Sequence, residues 1–381
     1  MGTLRYLLAI AVVLTHWDFE IPFVPPVVGG VAVQCFFVIS GFYMQHLIGR
    51  RTSVHLRNFY ISRAVRIFPA YWLLLAATAF IIPNGVLSFS EPHAVWYRED
   101  VVTKLVVGFT NVAIFLLDAM RFVVFDSMTD TLRATAHWVT APTILPGPAL
   151  SFLPQGWSLG IELCFYALAP LVLTRSTRVV AAWTISSFVV RGLLASQGFT
   201  DRNWYNAFFP SEFGIFLVGS LTWRLGQGAR RFFTCKAATL TLLPATTLLW
   251  IVFFVRYRYL MPLDIGIDWL FPAATVLVLP FLFPATGGSR LDRLLGRMSY
   301  IVYLDHLLVA FWVERIGVSP HLRLWLALFL TTAVALVVHL LIERPLDAWR
   351  HRLKFGQRGV EPMPGQQLGG QAKPACIETL A

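Results

Sequence analysis

The chain has 381 residues, of which 57% are hydrophobic and only 13% charged, against about 25% charged in an average globular protein. Its apolar residues gather in runs of roughly 17–22, the length that carries a helix across a ~30 Å hydrocarbon layer, and its mean hydropathy is +0.65. This excludes a soluble enzyme, a disordered scaffold and a nucleic-acid-binding domain, and the net charge of +11 does not reopen the last. The basic residues sit in short segments between apolar runs, as expected where cytoplasmic loops retain Lys and Arg.

In chain order, spans are expected over 5–22, 28–48, 67–83, 155–173, 179–196, 208–223, 237–255, 265–284, 299–315 and 322–342. The fold class is therefore all-α, a polytopic membrane protein of about ten transmembrane helices. The apolar stretch 101–117 is interrupted by Lys104, Gly108, Thr110 and Asn111 and ends at Asp118. With ten alternating spans and both termini cytoplasmic, only Arg98, Lys104, Arg121, Arg133, Arg202, Arg256 and Arg258 fall in outer loops. Counting 101–117 as an eleventh span would carry a large basic block outside. It reads instead as a re-entrant or interfacial helix, tolerated where its backbone faces protein or a wet cavity.

The outer segment 84–154 is then the longest exterior loop, expected to be irregular because of Pro92, Pro142, Pro146, Pro148 and Pro154. Long ordered loops often carry function. A membrane domain over 1–354 and a disordered cytoplasmic tail over 355–381 complete the organisation, the tail being rich in Gly, Gln and Pro. Cys35, Cys164, Cys235 and Cys376 show neither a CxxC pair nor metal-ligand spacing, so no metal is expected. No cleavable signal peptide is evident.

Ionisable groups inside spans are costly and mark sites by default. The first span carries Arg5 and His16, about three helical turns apart on one face. A histidine there suits general-base chemistry on a hydroxyl, or simply caps the outer end of the helix. The second span contains Gly29-Gly30 and Phe36-Phe37-Val38-Ile39-Ser40-Gly41-Phe42, where small residues favour close helix packing. Arg63 and Arg66 lie at i and i+3 at the cytoplasmic mouth of the third span. They suit phosphate oxygens or ordinary positive-inside anchoring. In Trp157-Ser158-Leu159-Gly160-Ile161-Glu162 the carboxylate lies two turns into a span. It calls for a partner such as His16 or an Arg, for chemistry or as a structural ion pair. Ser299-Tyr300-Ile301-Val302-Tyr303-Leu304-Asp305-His306 places an Asp/His pair early in a later span. Ile342-Glu343-Arg344-Pro345 reads as the terminus of the last one.

Taken in order, these segments resemble the acyltransferase-3 family of integral membrane acyltransferases. Arg5 to His16, Phe36 to Phe42, Arg63-Ala64-Val65-Arg66 with Pro69-Ala70-Tyr71, Trp157 through Glu162 to Tyr166, Ser299 through His306, and Glu343-Arg344-Pro345 are each similar to a family motif. The resemblance covers Leu4 to Pro345. It implies ten spans in the cytoplasmic membrane and transfer of an acyl group, acetyl by family habit, from cytoplasmic acyl-CoA to a hydroxyl of an extracytoplasmic or cell-surface glycan.

By position, His16 would be the catalytic histidine, acting as a general base or transient acyl carrier, with Glu162 supporting it. Arg5, Arg63 and Arg66 would engage acyl-CoA, the donor substrate, with no permanently bound cofactor. Trp157 (with Trp96, Tyr97 and Trp138) would stack on sugar rings or form an interfacial belt. Tyr303 and His306 count with the substrate-binding residues. Gln34, Leu163 and Cys164 stand where the family often has polar or acidic residues. Many members carry a fused SGNH-type hydrolase domain, for which 36 residues after Pro345 leave no room, so transfer would finish in the bundle or with a separate extracytoplasmic partner. Rival readings are acylation of a small secreted molecule such as a macrolide, and a sugar or lipid transporter. The latter should show paired broken helices and acidic coupling residues, of which only Glu162 and Asp305 qualify.

Overall fold

The computed structural model describes residues 1–16, 29–49, 54–81, 100–137, 139, 141–228, 269–286 and 288–350. The expected span 237–255, the tail 355–381 with the boundary at 354, and Trp96, Tyr97 and Trp138 lie outside the described residues. The helices are α1 (Gly2–His16), α2 (Gly29–Ile48), α3 (Leu56–Ile81), α4 (Val101–Ala113), α5 (Trp157–Val172), α6 (Thr177–Ser196), α7 (Arg202–Asn206), α8 (Phe209–Gly228), α9 (Leu270–Thr286), α10 (Arg290–Arg315), α11 (Pro320–Val338) and α12 (Arg344–Arg350).

Among the described residues, five segments are long and apolar enough to cross a membrane: Gly29–Ile48, Leu56–Ile81, Thr177–Ser196, Arg290–Arg315 and Leu322–Trp349. The distribution of side chains is that of a helical membrane protein. Trp183, Ile185 and Val189 of α6 and Trp325 and Phe329 of α11 are exposed, whereas Gln34, Arg63, Arg191, Glu212, Asp305 and His306 are buried. Polar groups face the bundle interior because hydrocarbon offers them no partner.

Two helix pairs form the centre, α2 against α8 and α1 against α10. In the first, a Cβ on Gly41 would lie 1.7 Å from the carbonyl oxygen of Phe216, and one on Gly219 would lie 1.9 Å from that of Val38. The backbones touch, and Ser220 Oγ donates to the Gly41 carbonyl at 3.1 Å. The second pair meets in the same way at Gly2 and Gly296. There Asp292 accepts from the backbone N–H groups of Gly2 (2.9 Å) and Thr3 (2.8 Å), capping the start of α1.

The described part of the segment 84–154, expected to be irregular rather than one helix, includes a small sheet. Strands β1 (Val123–Asp126), β2 (Thr131–Ala134) and β3 (Ile144–Pro146) form an antiparallel sheet in the order β2-β1-β3. β1 supplies Val-Val-Phe, with Phe125 fully buried, and Asp130 at φ 53° turns the chain into β2. A run of four strand residues among prolines is too short to stand out by periodicity, so the all-α expectation misses it.

The stretch expected to be re-entrant or interfacial forms the short helix α4, whose 13 residues reach about 20 Å at ~1.5 Å per residue. Its outer face is apolar, with Val101, Val102, Leu105 and Phe109 exposed, while Thr103, Thr110 and Asn111 are buried. Asp100 caps it, accepting from the Val102 and Thr103 N–H groups at 3.1 and 3.0 Å. Asn111 donates to the Val107 and Leu150 carbonyls and accepts from Phe152 N–H, tying α4 to the segment that follows β3.

At the other end, the last helix does not stop at Glu343. A π-helical turn (His339–Glu343) links α11 to α12, and Pro345 follows it as the second residue of α12.

Candidate active site

The motif residues divide between the two ends of the bundle. At the end where α1 begins, a cavity of about 430 Å³ is lined by Arg5, Arg63, Arg66, Arg293, Arg297 and Glu162, with Tyr43, Tyr166 and Tyr300 among its other walls. Arg63 and Arg66 both project into it because α3 starts at Leu56, well before the expected 67, so their i, i+3 spacing falls on one helical face.

Carboxylates balance only part of this charge. Arg66 meets Glu343 at 3.4 Å and Arg297 meets Asp347 at 3.4 Å. The π-helical turn aims Glu343 at Arg66, with the ring Nδ1 of His339 3.0 Å from the other carboxylate oxygen. Arg63 donates to Ser62 Oγ at 3.2 Å and lies over the Tyr166 ring at 5.7 Å. Arg5 lies over Phe36 at 5.8 Å, and its Nε has no hydrogen-bond partner among the described residues. Several fixed guanidinium groups around one cavity form a receptor for a polyanion.

Glu162 sits at the inner wall of this cavity. Ser40 Oγ donates to its Oε1 at 2.9 Å, and the Tyr166 hydroxyl donates to the same atom. Its partners are thus two hydroxyls, with Arg5 facing the same space. His16, named from sequence as a possible partner, is not at this level.

A second, smaller space of about 40 Å³ continues from the cavity and shares Arg5, Ser40, Glu162 and Tyr300 with it. Val33, Phe36, Phe37 and Leu159 make its apolar walls, and Tyr303 closes it. The Tyr303 hydroxyl donates to the Gln155 carbonyl at 2.8 Å and lies 2.7 Å from Ser158 Oγ. The side-chain amide of Gln155 in turn donates to the Leu304 carbonyl. This cross-link between α10 and the start of α5 divides the bundle.

Beyond Tyr303 stand the histidines. The His306 ring lies 6.1 Å from that of Tyr303 and 4.9 Å from that of His16, centroid to centroid. His306 is fully buried and His16 exposed. Both Nδ1 atoms address backbone carbonyls, of Val12 at 3.0 Å for His16 and of Tyr303 at 2.8 Å for His306. A carbonyl only accepts, so Nδ1 carries the proton in each ring and Nε2 holds the lone pair. The expected Asp305/His306 pair is not a pair. Neither carboxylate oxygen of Asp305 is hydrogen-bonded among the described residues.

Trp157 belongs to the sheet end. The guanidinium of Arg121 lies 4.8 Å above its ring, while Arg121 Nε donates to Asn203 Oδ1 at 2.9 Å. Burial pulls Arg121 down to about 10. Nothing in the local sequence signals Arg121, because the loop fold brings it to Trp157.

A further buried cluster ties α2, α6 and α8. Glu212 pairs with Arg191 at 2.9 Å, and Gln34 Nε2 donates to Glu212 at 3.0 Å and to Asn206 Oδ1 at 3.2 Å. This accounts for Gln34, since an acidic side chain there would face the Glu212 carboxylate. Opposite charges inside two neighbouring apolar runs were the available signal.

Comparison with known proteins bears on the family of the chain. A family model described as an acyltransferase domain matches residues 2–344. An exopolysaccharide production protein of Rhizobium meliloti (ExoZ) is 26% identical over 337 residues, covering 84% of this chain and 90% of the relative. Nodulation protein 10 of Rhizobium leguminosarum bv. viciae is 27% identical over 349 residues, covering 86% and 84%. An uncharacterized Aquifex aeolicus protein is 25% identical over 215 residues, covering 53% of this chain and 90% of its own length. No solved structure matches the chain.

Proposed function

Because the chain belongs to the acyltransferase-3 family, and is therefore a membrane acyltransferase, we propose that it moves a short acyl group from cytoplasmic acyl-CoA to a hydroxyl of a cell-surface polysaccharide. The observation that carries the reading is the single line of sites through the bundle. An arginine-lined cavity opens at one end, a small apolar space follows, and two histidines stand at the other end beyond Tyr303.

The arginine end suits the phosphates of CoA, and Arg5, Arg63 and Arg66 are the residues assigned to them. The thioester then enters the small space beside Glu162. Its apolar walls of Val33, Phe36, Phe37 and Leu159 suit a short acyl chain, and acetyl is the group the family resemblance implies. His16, exposed at the far end, takes the proton of the incoming hydroxyl. Trp157, buttressed by Arg121, offers a ring face to a sugar, and Tyr303 and His306 complete the acceptor end. In this orientation the α1 start and the C-terminal helix face the cytoplasm, with the protein in the cytoplasmic membrane and ten spans in all. The polysaccharide acceptor is drawn from the name of the exopolysaccharide relative, which matches across most of both chains.

The test compares ester-linked acetyl in surface polysaccharide from three strains: intact gene, deletion, and deletion complemented with His16→Ala at matched membrane abundance. The expected result is loss of acetyl in the last two. Full acetylation in the His16→Ala strain would remove His16 from the chemistry, and unchanged acetyl in the deletion strain would remove the polysaccharide.

A further inference from the structure

The geometry points to His306 as a second catalytic residue, the one that carries the acyl group, with His16 serving as base for the acceptor. This rests on the acyltransferase reading above and assigns a covalent step within it.

Three observations converge. First, order: Tyr303 closes the small space, and the His306 ring lies 6.1 Å from that of Tyr303 and 4.9 Å from that of His16, so His306 stands between the donor side and His16. Second, protonation: the His306 Nδ1–H is committed to the Tyr303 carbonyl at 2.8 Å, leaving Nε2 unprotonated. That atom is buried and has no hydrogen-bond partner among the described residues. An unsatisfied buried nitrogen is costly, and an unhydrated lone pair is a better nucleophile than a solvated one. Third, division of labour: an acylated imidazole nitrogen has no lone pair with which to accept a proton. Transfer through one histidine alone would leave the acceptor hydroxyl without a base, and a second ring at 4.9 Å supplies one.

The step balances without any further reactant. His306 Nε2 donates its electron pair to the thioester carbonyl carbon. The carbon–sulfur bond breaks, CoA leaves as the thiolate into the arginine cavity, and the acyl group remains as an N-acylimidazolium still donating from Nδ1. The acceptor oxygen then attacks the same carbonyl carbon while its proton passes to His16 Nε2. The carbon–nitrogen bond breaks, its electron pair returns to His306, and the ester departs. His16 releases its proton to the outer solution and the thiolate takes one up from the inner.

A covalent acyl-enzyme predicts exchange without acceptor. The full chain in lipid nanodiscs, given acetyl-CoA and isotopically labelled CoA, should move the label into acetyl-CoA. His306→Gln should slow this exchange by ~100-fold or more, the scale on which one acid–base or nucleophilic group registers. His16→Ala should still exchange label while failing to acetylate polysaccharide in the host. As a check independent of the variant's folding, wild type quenched with labelled acetyl-CoA should carry the label on the peptide containing His306. Label on His16 instead, or exchange that survives His306→Gln and disappears in His16→Ala, overturns the assignment. Acetylated polysaccharide in the host with no exchange by the purified protein overturns the relay alone. Polysaccharide acetylation that persists after gene deletion overturns the reading beneath it.

Discussion

At the residue scale, the sequence motifs contain two kinds of basic side chain with different jobs. Among the described residues Arg63 has no carboxylate as a hydrogen-bond partner, only Ser62 and the Met44 sulfur, so its charge is available to a ligand, whereas Arg66 is shared with Glu343. Charge-assisted hydrogen bonds contribute ~1.5–3 kcal/mol each, so Arg63→Ala should raise the KM for acyl-CoA by about 10- to 100-fold with a smaller effect on kcat. Arg63→Lys should recover only part of that, because a point charge cannot reproduce a planar fork. Steady-state kinetics against acyl-CoA concentration decides it. That Arg5, Arg63 and Glu162 border one cavity follows from the structure; their residue types and spacing were legible beforehand. The partners of Glu162 were not, since Ser40 and Tyr166 are hydroxyls of ordinary frequency that helix packing selects.

At the element scale, the Ser40-Gly41 segment serves two ends at once. Ser40 faces Glu162, and one residue later Gly41 lets α2 touch α8. Gly41→Ala places a methyl group against the Phe216 backbone, and overpacking of this kind costs ~1–3 kcal/mol. The expected result is a lower midpoint of thermal unfolding in detergent, with activity lost in proportion to the unfolded fraction. The Arg191–Glu212 pair ties the same helix to α6. Replacing Glu212 alone by Gln leaves a buried guanidinium without its counter-charge, a change that costs ~3–5 kcal/mol in comparable buried pairs. Replacing both, as Arg191→Met with Glu212→Met, should restore most of the stability. If the double variant is no better than Glu212→Gln, the pair does more than neutralise itself.

At the scale of the whole molecule, the sheet end is held to the bundle through a buried acid. Asp118 follows α4, packs against Gly160 of α5, and has one oxygen without a hydrogen bond among the described residues. Burial raises its pKa to about 6. A carboxyl with a raised folded-state pKa favours the fold most when protonated. Its contribution is complete below the unfolded pKa of ~3.9 and is lost as pH rises through about 6. Asp118→Asn should therefore flatten the stability–pH profile across that window and raise stability at neutral pH, measured as unfolding midpoints from pH 4 to 8.

The sequence by itself determined that this is a helical membrane protein and that costly polar residues are set within its apolar runs. Hydrocarbon thickness and the cost of burying charge act on one residue or one run at a time, so their effects can be read without a fold. The tertiary structure decided the rest. It separated the arginines and Glu162 from the histidines, turned Glu343 toward Arg66 through a π-helical turn, and set His306 beside His16. It also built a three-stranded sheet from a proline-rich loop. Each of these depends on which helix lies against which. That is settled by close backbone contacts such as Gly2 with Gly296 and Gly41 with Phe216, between residues far apart in the chain, where no local pattern reaches.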